Sequence, residues 1–231
     1  MKALRTGLVL TLFAALAACA SSNLSSPSPL PVNPHQIMVQ TDWSVDVGSG
    51  GADQLLGLAP DAGGGLVVAA SAAGHVIAVD ARTGRTEWQR HIKGQLSGGP
   101  AIAGGLVALG TRSGDVIALD ARTGKTRWTR QVGAPVIVSP AMGNADVVVD
   151  TLAGNLVALD AATGKTQWTQ ANAAPSLSLR TATRPLIVDG VVYGGFADGK
   201  AMAVDMTTGK LLWLKRIAAG RGGNVVTNMV D

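Results

Sequence analysis

Four aspartates recur along the chain with a spacing that invites a chemical interpretation: Asp80, Asp120, Asp160 and Asp205. Carboxylates placed close together can act as general acid and base or hold a metal ion. Each of the four, however, lies in the same pattern, Ala-x-Asp-x-x-Thr-Gly-x-x-x-Trp. In such a turn the Asp side chain accepts hydrogen bonds from turn N–H groups, and the Gly supplies a positive φ. Because the same residues recur in every unit, we predict turn-forming aspartates and not catalytic ones.

The other candidate nucleophiles and ligands form no recognisable set in the sequence. Glutamate occurs once, as Glu87 on a predicted outer strand. His75 and His91 lie on separate predicted strands, and neither has a His or Glu partner at ligand spacing. No Ser/His/Asp combination points to nucleophilic catalysis. We therefore predict no catalytic residue, no cofactor and no metal.

Cys19, the one cysteine of the chain, excludes an internal disulfide and a four-Cys zinc site. It follows a positively charged start and an apolar segment, residues 7–15, that is too short to span a bilayer. The sequence Leu-Ala-Ala-Cys resembles the lipobox of bacterial lipoproteins, whose thiol takes a diacylglycerol. We predict a signal peptide over residues 1–18, lipidation of Cys19 as a membrane anchor, and outer-membrane sorting because Ala20 follows. The alternative is an ordinary signal peptide with a chance cysteine.

The stretch after Cys19 is rich in Ser, Pro and Asn, and residues 19–41 are predicted to form the lipidated cysteine and a disordered tether. The remaining chain, residues 42–231, is predicted to fold. Only 15% of the 231 residues are charged, and the formal net charge is +4. Without clustered Lys and Arg, this composition gives no sign of nucleic-acid binding.

The pattern around the four aspartates predicts an all-β propeller, because a period of about 40 residues built of short strands is typical of propeller blades. The predicted four-stranded antiparallel blades are about residues 58–88, 98–128, 138–168 and 183–213, with 214–231 beginning a further connection. In each unit a Pro opens the first strand: Pro60, Pro100, Pro140 and Pro185. The turn glycines are Gly84, Gly124, Gly164 and Gly209. The tryptophans, predicted to stack between adjacent blades, are Trp88, Trp128, Trp168 and Trp213.

Trp43 does not fit a complete blade. It lies in an outer-strand pattern, but no inner strands precede it. We predict that it is the closing strand of a blade whose other strands follow Trp213. The 231 residues are therefore expected to hold about half of a larger ring.

Variation in length is confined to the connections between units. Every unit has 28 positions from its Pro to its Trp, whereas the connections from Trp to the next Pro span 12 or 17. The long connection from Trp168 to Pro185 contains the sequence PSLSLR, in which Leu177 and Leu179 precede Arg180. The two leucines either tuck under the propeller face or form an interface in which apolar anchors lie beside a bidentate donor.

The repeat resembles the tryptophan-docking motif of the pyrroloquinoline-quinone-type β-propellers over about residues 43–213. With its lipobox and tether, the chain is most similar to the propeller lipoproteins of the β-barrel assembly machinery in Gram-negative outer membranes. That resemblance implies about eight blades, no enzymatic activity, and a lipid-anchored position at the periplasmic face of the outer membrane. It implies assistance to nascent outer-membrane β-barrel proteins during folding and insertion. The alternative is a fragment of a quinone-dependent dehydrogenase or quinone-binding propeller.

The resemblance also implies roles for particular residues. The PSLSLR segment is similar to the family's loop for the periplasmic POTRA domains of BamA, the barrel-forming subunit. Leu177 and Leu179 then serve as apolar anchors and Arg180 as a charge-assisted donor. A second family contact uses acidic residues on the next long connection, where Asp231 matches. Met229 departs from the pattern, since the family tends to show Asp there.

Overall fold

The computed structural model describes residues 40–48, 57–143, 145–172 and 183–217. All regular secondary structure in these ranges is β, arranged as four separate four-stranded antiparallel sheets. Within the same ranges no helix is long and apolar enough to cross a membrane. The predicted lipidation site and partner-binding residues lie outside the described residues: Cys19, Leu177, Leu179, Arg180 and Asp231.

The sixteen strands follow one another in chain order, four to a blade. The first blade consists of β1 (Asp61–Gly63), β2 (Leu66–Ala70), β3 (His75–Asp80) and β4 (Thr86–His91). The second consists of β5 (Leu96–Ala103), β6 (Leu106–Thr111), β7 (Asp115–Asp120) and β8 (Thr126–Gln131). The third consists of β9 (Ala141–Met142), β10 (Asp146–Asp150), β11 (Asn155–Asp160) and β12 (Thr166–Ala171). The fourth consists of β13 (Leu186–Val188), β14 (Val191–Gly195), β15 (Lys200–Asp205) and β16 (Leu211–Arg216).

These sheets confirm the predicted all-β class and the meander of four strands per unit. The start of one strand differs from the prediction, since β5 begins at Leu96 and not at Pro100. The earlier start has a tertiary cause. The N–H of Gly57 donates to Ser97 O at 3.1 Å and to Ile137 O at 3.0 Å, so three inner segments meet there and hold the chain extended before Pro100.

The core consists of three apolar clusters, each built by two successive blades. The first joins Trp88 and Val76 of the first blade to Val107 and Leu109 of the second, and the other two clusters repeat this arrangement along the chain. As a result β6 is buried at every position. Burial on both faces explains why the middle strands are continuously apolar and do not alternate. Burying a Val or Leu fully contributes about 1.5–3 kcal/mol, so these clusters between blades are a large source of stability.

Candidate functional site

The repeated aspartates lie in the hairpin turns between the third and fourth strand of each blade. In every turn the Asp Oδ1 accepts a hydrogen bond from the Thr backbone N–H at 2.7–2.9 Å and another from the Thr hydroxyl at 2.6–2.9 Å. These bonds favour the ionised form. The Thr83 hydroxyl and N–H hold the pKa of Asp80 below its usual value, and the same bonds act on Asp160 and Asp205. The four carboxylates stand on four different blades, one in each turn.

Asp120 has the strongest hydrogen bonding of the four. The Arg127 guanidinium donates to its Oδ2 at 2.6 Å, and with Thr123 this lowers the pKa of Asp120 to about 2. A carboxylate that is ionised and fully engaged in a turn is poorly suited to act as a proton donor. The geometry therefore assigns these aspartates to the scaffold.

Each turn also receives the tryptophan of the preceding blade. The indole Nε1–H of Trp88 donates to Ala121 O at 2.8 Å, that of Trp128 to Ala161 O at 2.8 Å, and that of Trp168 to Met206 O at 2.7 Å. Trp43 makes the same contact with the first blade, donating to Ala81 O at 3.2 Å. Residues 40–48 form no strand in the structure, so the closing-strand role of Trp43 stays a prediction.

The turn glycine is required for two reasons. Gly84, Gly124, Gly164 and Gly209 have φ between 67° and 70°, a region that favours glycine. A Cβ at any of the four would also come within 2.5–2.6 Å of a docked indole carbon. The motif alanine is explained by its position, since Ala78, Ala118, Ala158 and Ala203 lie directly opposite the four blade tryptophans in the ladder, next to a β-bulge. In each blade the motif thus forms a turn, here called the socket, that binds the tryptophan of the preceding segment. The tryptophans of the first three blades link them to the next blade in the same way.

The turns between second and third strands lie at the other end of each sheet, away from the Asp turns. The fourth strand of each blade also ends there, so the connections between blades begin at that end. On the third blade this end differs from the others, because two buried polar side chains replace apolar or small residues. Asp150 occupies the position of Ala70, Gly110 and Gly195, and Asn172 occupies that of Ile92, Val132 and Ile217. Asp150 is 2% exposed and Asn172 4%. The connection that contains the PSLSLR segment starts directly after Asn172.

These two side chains have unsatisfied polar atoms. Within the described ranges, Asp150 Oδ1 and Asn172 Nδ2 have no hydrogen-bond partner. Burial raises the pKa of Asp150 to about 8, although a hydrogen bond with the Thr151 backbone acts in the opposite direction. A strongly raised carboxyl pKa is common at functional sites and also occurs in purely structural burial. Sequence reasoning missed both residues, yet an alignment of the four units shows an ionisable group where the other blades have Ala or Gly.

The structure also brings together two residues that the sequence appeared to separate. His75 and His91 are direct partners in the ladder of β3 and β4, and their ring centroids are 4.8 Å apart. The prediction that neither histidine has a nearby partner is therefore wrong. The hairpin pairs positions on either side of the turn, so residues that are distant in sequence become neighbours.

The fourth blade repeats the motif, but its outer tryptophan is not covered. Trp213 is 37% exposed, whereas the three docked blade tryptophans are 6–9% exposed. Within the described residues the Trp213 indole has no acceptor, and its ring lies against Tyr193 with centroids 6.1 Å apart. Strand pairing places Leu186, Val188 and Tyr193, which are exposed, on the same side of the sheet as Trp213. Leu211, Leu212, Leu214 and Ile217 of the same blade are exposed as well.

Comparison with known proteins gives a consistent family. Residues 72–231 match the family model described as outer membrane protein assembly factor BamB. The protein of that name from Pseudomonas aeruginosa is 48% identical over 225 residues, which cover 96% of this chain and 59% of the relative. The crystal structure of BamB from Moraxella catarrhalis superposes with a TM-score of 0.66 at 33% identity, covering 74% of this chain and 51% of that one.

The match to these relatives is partial in length, and the fold is shared with other proteins. The chain spans 55–59% of the length of three curated relatives. A quinohemoprotein alcohol dehydrogenase from Comamonas testosteroni also superposes, with a TM-score of 0.55 at 19% identity over 68% of this chain and 34% of that one. At that identity the likeness concerns the fold alone.

Proposed function

The chain belongs to the BamB family of outer membrane protein assembly factors, and from this premise we propose that it is a non-enzymatic scaffold in the assembly of outer-membrane β-barrel proteins. The observation that carries the proposal is the family match over residues 72–231, which includes all four socket turns. The fate of the repeated carboxylates supports it. All four are ionised and engaged in turns that link the blades, as expected of a rigid platform and not of a catalytic centre.

The proposed docking element is the connection between the third and fourth blades. It leaves the sheet edge after Asn172 and returns before Pro185, between two blades that are joined by the Trp168 socket. Loops that a rigid scaffold holds in place often carry binding residues. On this proposal Leu177 and Leu179 insert as apolar anchors into the POTRA domains of BamA, and Arg180 donates charge-assisted hydrogen bonds.

The docking proposal is tested by measuring binding of the full chain to the purified POTRA domains of BamA. We expect Leu177→Asp to weaken binding by at least about 100-fold, because a charge would be buried at an apolar contact, and Arg180→Ala by at least about tenfold. The matched control is Arg82→Ala, which removes an exposed arginine from the opposite edge of a blade and should bind like the parent. Undiminished binding by both test variants would refute the docking site. Asp231→Ala tests the proposed second contact separately.

The proposed location depends on Cys19. Acyl chains on its thiol would hold the propeller at the periplasmic face of the outer membrane, since each buried CH₂ contributes about 0.8 kcal/mol. Radiolabelled palmitate should be incorporated into the parent chain in a Gram-negative host, and Cys19→Ala should abolish incorporation. Equal labelling of the variant would contradict the anchor while leaving the scaffold role open.

The competing proposal is that the chain is part of a quinone-dependent dehydrogenase. Its support is the repeat motif and the fold likeness to a dehydrogenase, and fold alone does not transfer activity. Addition of pyrroloquinoline quinone with Ca²⁺ distinguishes the two functions. The scaffold proposal expects no spectral shift and no alcohol-dependent dye reduction, and their appearance would overturn it.

A further inference from the structure

The histidine pair of the first blade has the arrangement of a small chelate. His75 opens β3 and His91 ends β4, and the two lie directly opposite each other in the ladder. Their rings are tilted by 56°, with centroids 4.8 Å apart. Two imidazoles that bind one ion at Zn–N distances of about 2.0–2.1 Å have centroids roughly 5 Å apart. The observed spacing therefore allows both rings to approach the same ion.

The pair opens onto a cleft of about 530 Å³ between the first blade and the segment that follows Trp43. Asp46, Gly48, Ile77 and Gln89 also line this cleft. Asp46 brings a negative charge, and its Oδ1 accepts a hydrogen bond from the Gly48 N–H at 2.7 Å. The one guanidinium of the lining, that of Arg90, is engaged with Thr123 O at 2.8 Å and Gln89 O at 3.1 Å. The guanidinium keeps its charge, which the carboxylate of Asp46 balances, so the lining without the two histidines is formally neutral.

The same ladder position in the other blades shows whether a neighbouring blade would seal this site. Its occupants are Asp115 with Gln131, Asn155 with Ala171, and Lys200 with Arg216. In the second and third blades, which have described blades on both sides, the first member stays half-buried and the second exposed. The position thus lies on the outer rim and remains accessible to solvent. In the described chain only the first blade has two metal-ligating side chains at this position.

We propose that His75 and His91 form a two-histidine site for a borderline divalent cation, binding Cu²⁺ more tightly than Zn²⁺. Neutral imidazole suits both ions, and the Irving–Williams order places Cu²⁺ highest. Across the described ranges no third His, Cys, Asp or Glu completes a ligand group, so water fills the remaining positions. The site is therefore open and exchangeable, unlike a closed structural zinc centre. The inference is independent of the proposed docking function.

The test is calorimetric titration of the full chain with Cu²⁺ alone and with Zn²⁺ alone. The chain carries three histidines and one cysteine, so a Cys19→Ser background removes the thiol and leaves His35 as the internal control. His75→Asn and His91→Gln introduce residues that the repeat already holds at this position in the third and second blades. These variants are therefore expected to fold, and a thermal melt of each checks this.

We expect one Cu²⁺ per chain in the parent and at least about tenfold weaker binding in His75→Asn and in His91→Gln, because each variant lacks one of two direct ligands. His35→Gln should bind like the parent. The electron paramagnetic resonance spectrum of the copper complex should show two coupled nitrogens in the parent and one in each site variant. Unchanged affinity in both site variants, or an equal loss in His35→Gln, would overturn the proposal.

Discussion

The third and fourth blades contain the same motif but differ in what covers their outer tryptophan. Trp168 is 9% exposed, and its indole is bonded to the turn of the fourth blade, whereas Trp213 is 37% exposed and has no described acceptor. The strands, the turn and the bulge are nevertheless alike in both blades. The comparison shows that the motif is sufficient to form a blade, while burial of its outer face depends on the next one.

The difference is energetic as well as geometric. A fully buried Leu or Phe side chain gains about 1.5–3 kcal/mol over an exposed one, and the fourth blade leaves eight large apolar residues at least partly exposed. Such faces on soluble proteins are usually interaction surfaces. The sequence prediction of a further blade after Trp213 stays a prediction.

The largest expected effect compares the two tryptophans directly. Trp168→Ala should lower the free energy of unfolding by about 3–5 kcal/mol, because it empties a packed socket and removes a hydrogen bond. Trp213→Ala should cost less than about 1.5 kcal/mol, since its side chain is 37% exposed already and its indole has no described acceptor. Urea denaturation of the full chain measures both. Equal losses would mean that Trp213 is covered in solution.

The next effect concerns the socket of the fourth blade. Gly209→Ala combines an unfavourable backbone at φ 70° with a Cβ placed 2.5 Å from Trp168 Cγ, and should cost about 2–4 kcal/mol. Gly190→Ala is the control, because φ there is 76° but a Cβ meets nothing within 4 Å. It should cost about 1–2 kcal/mol. Equal losses in the two variants would mean that the close approach of the Trp168 indole adds nothing to the cost of substituting Gly209.

The third prediction concerns Asp150, the buried carboxyl group of the third blade. The folded-state pKa of Asp150 is raised to about 8 from an ordinary value of 3.8. Between these two values the folded state binds more protons at Asp150 than the unfolded state does, so the contribution of this group to stability is greatest at low pH and falls as pH rises. Between pH 5 and pH 7 the free energy of unfolding of the parent should fall by about 2–3 kcal/mol relative to that of Asp150→Ala. This variant has the residue that the first blade holds at the same position, Ala70. Urea titrations at several pH values measure this, and parallel pH profiles would contradict it.

The smallest effect should be the same in both blades. Thr163→Ala and Thr208→Ala each remove a hydroxyl that donates to the turn aspartate at 2.6 Å. Each should cost about 0.5–1.5 kcal/mol in thermal or urea unfolding, because the bond lies within one turn and does not depend on what covers the blade. A clear difference between the two variants would show that the strength of the turn hydrogen bond also depends on what packs against the blade.

Much of the fold was predictable because its determinants are local. The period of about 40 residues and the Asp-x-x-Thr-Gly turn predicted four-stranded units. The third, predicted over about residues 138–168, holds four strands from Ala141 to Ala171. Predictions that depended on distant contacts were less successful. Pro100 did not open its strand, because Gly57 and Ile137 from other parts of the chain extend β5 backwards.

The candidate sites divide in the same way. Residues that belong to the repeat were recognisable by their identity, whereas Asp150 and Asn172 became notable only through their burial. The histidine pair was dismissed on sequence spacing and emerged from strand pairing. Burial and cross-strand pairing depend on the whole fold, so sequence separation gave no warning of them.

The sequence by itself determined the blade, because turn hydrogen bonds, positive φ at glycine and strand-length apolar runs act over a few residues. The tertiary structure alone decided which tryptophans bind the socket of the next blade, how far the pKa of Asp150 is raised, and which two histidines line one cleft. Those properties arise from burial and from contacts between residues far apart in the chain, whose energies exist only once neighbouring blades are packed together.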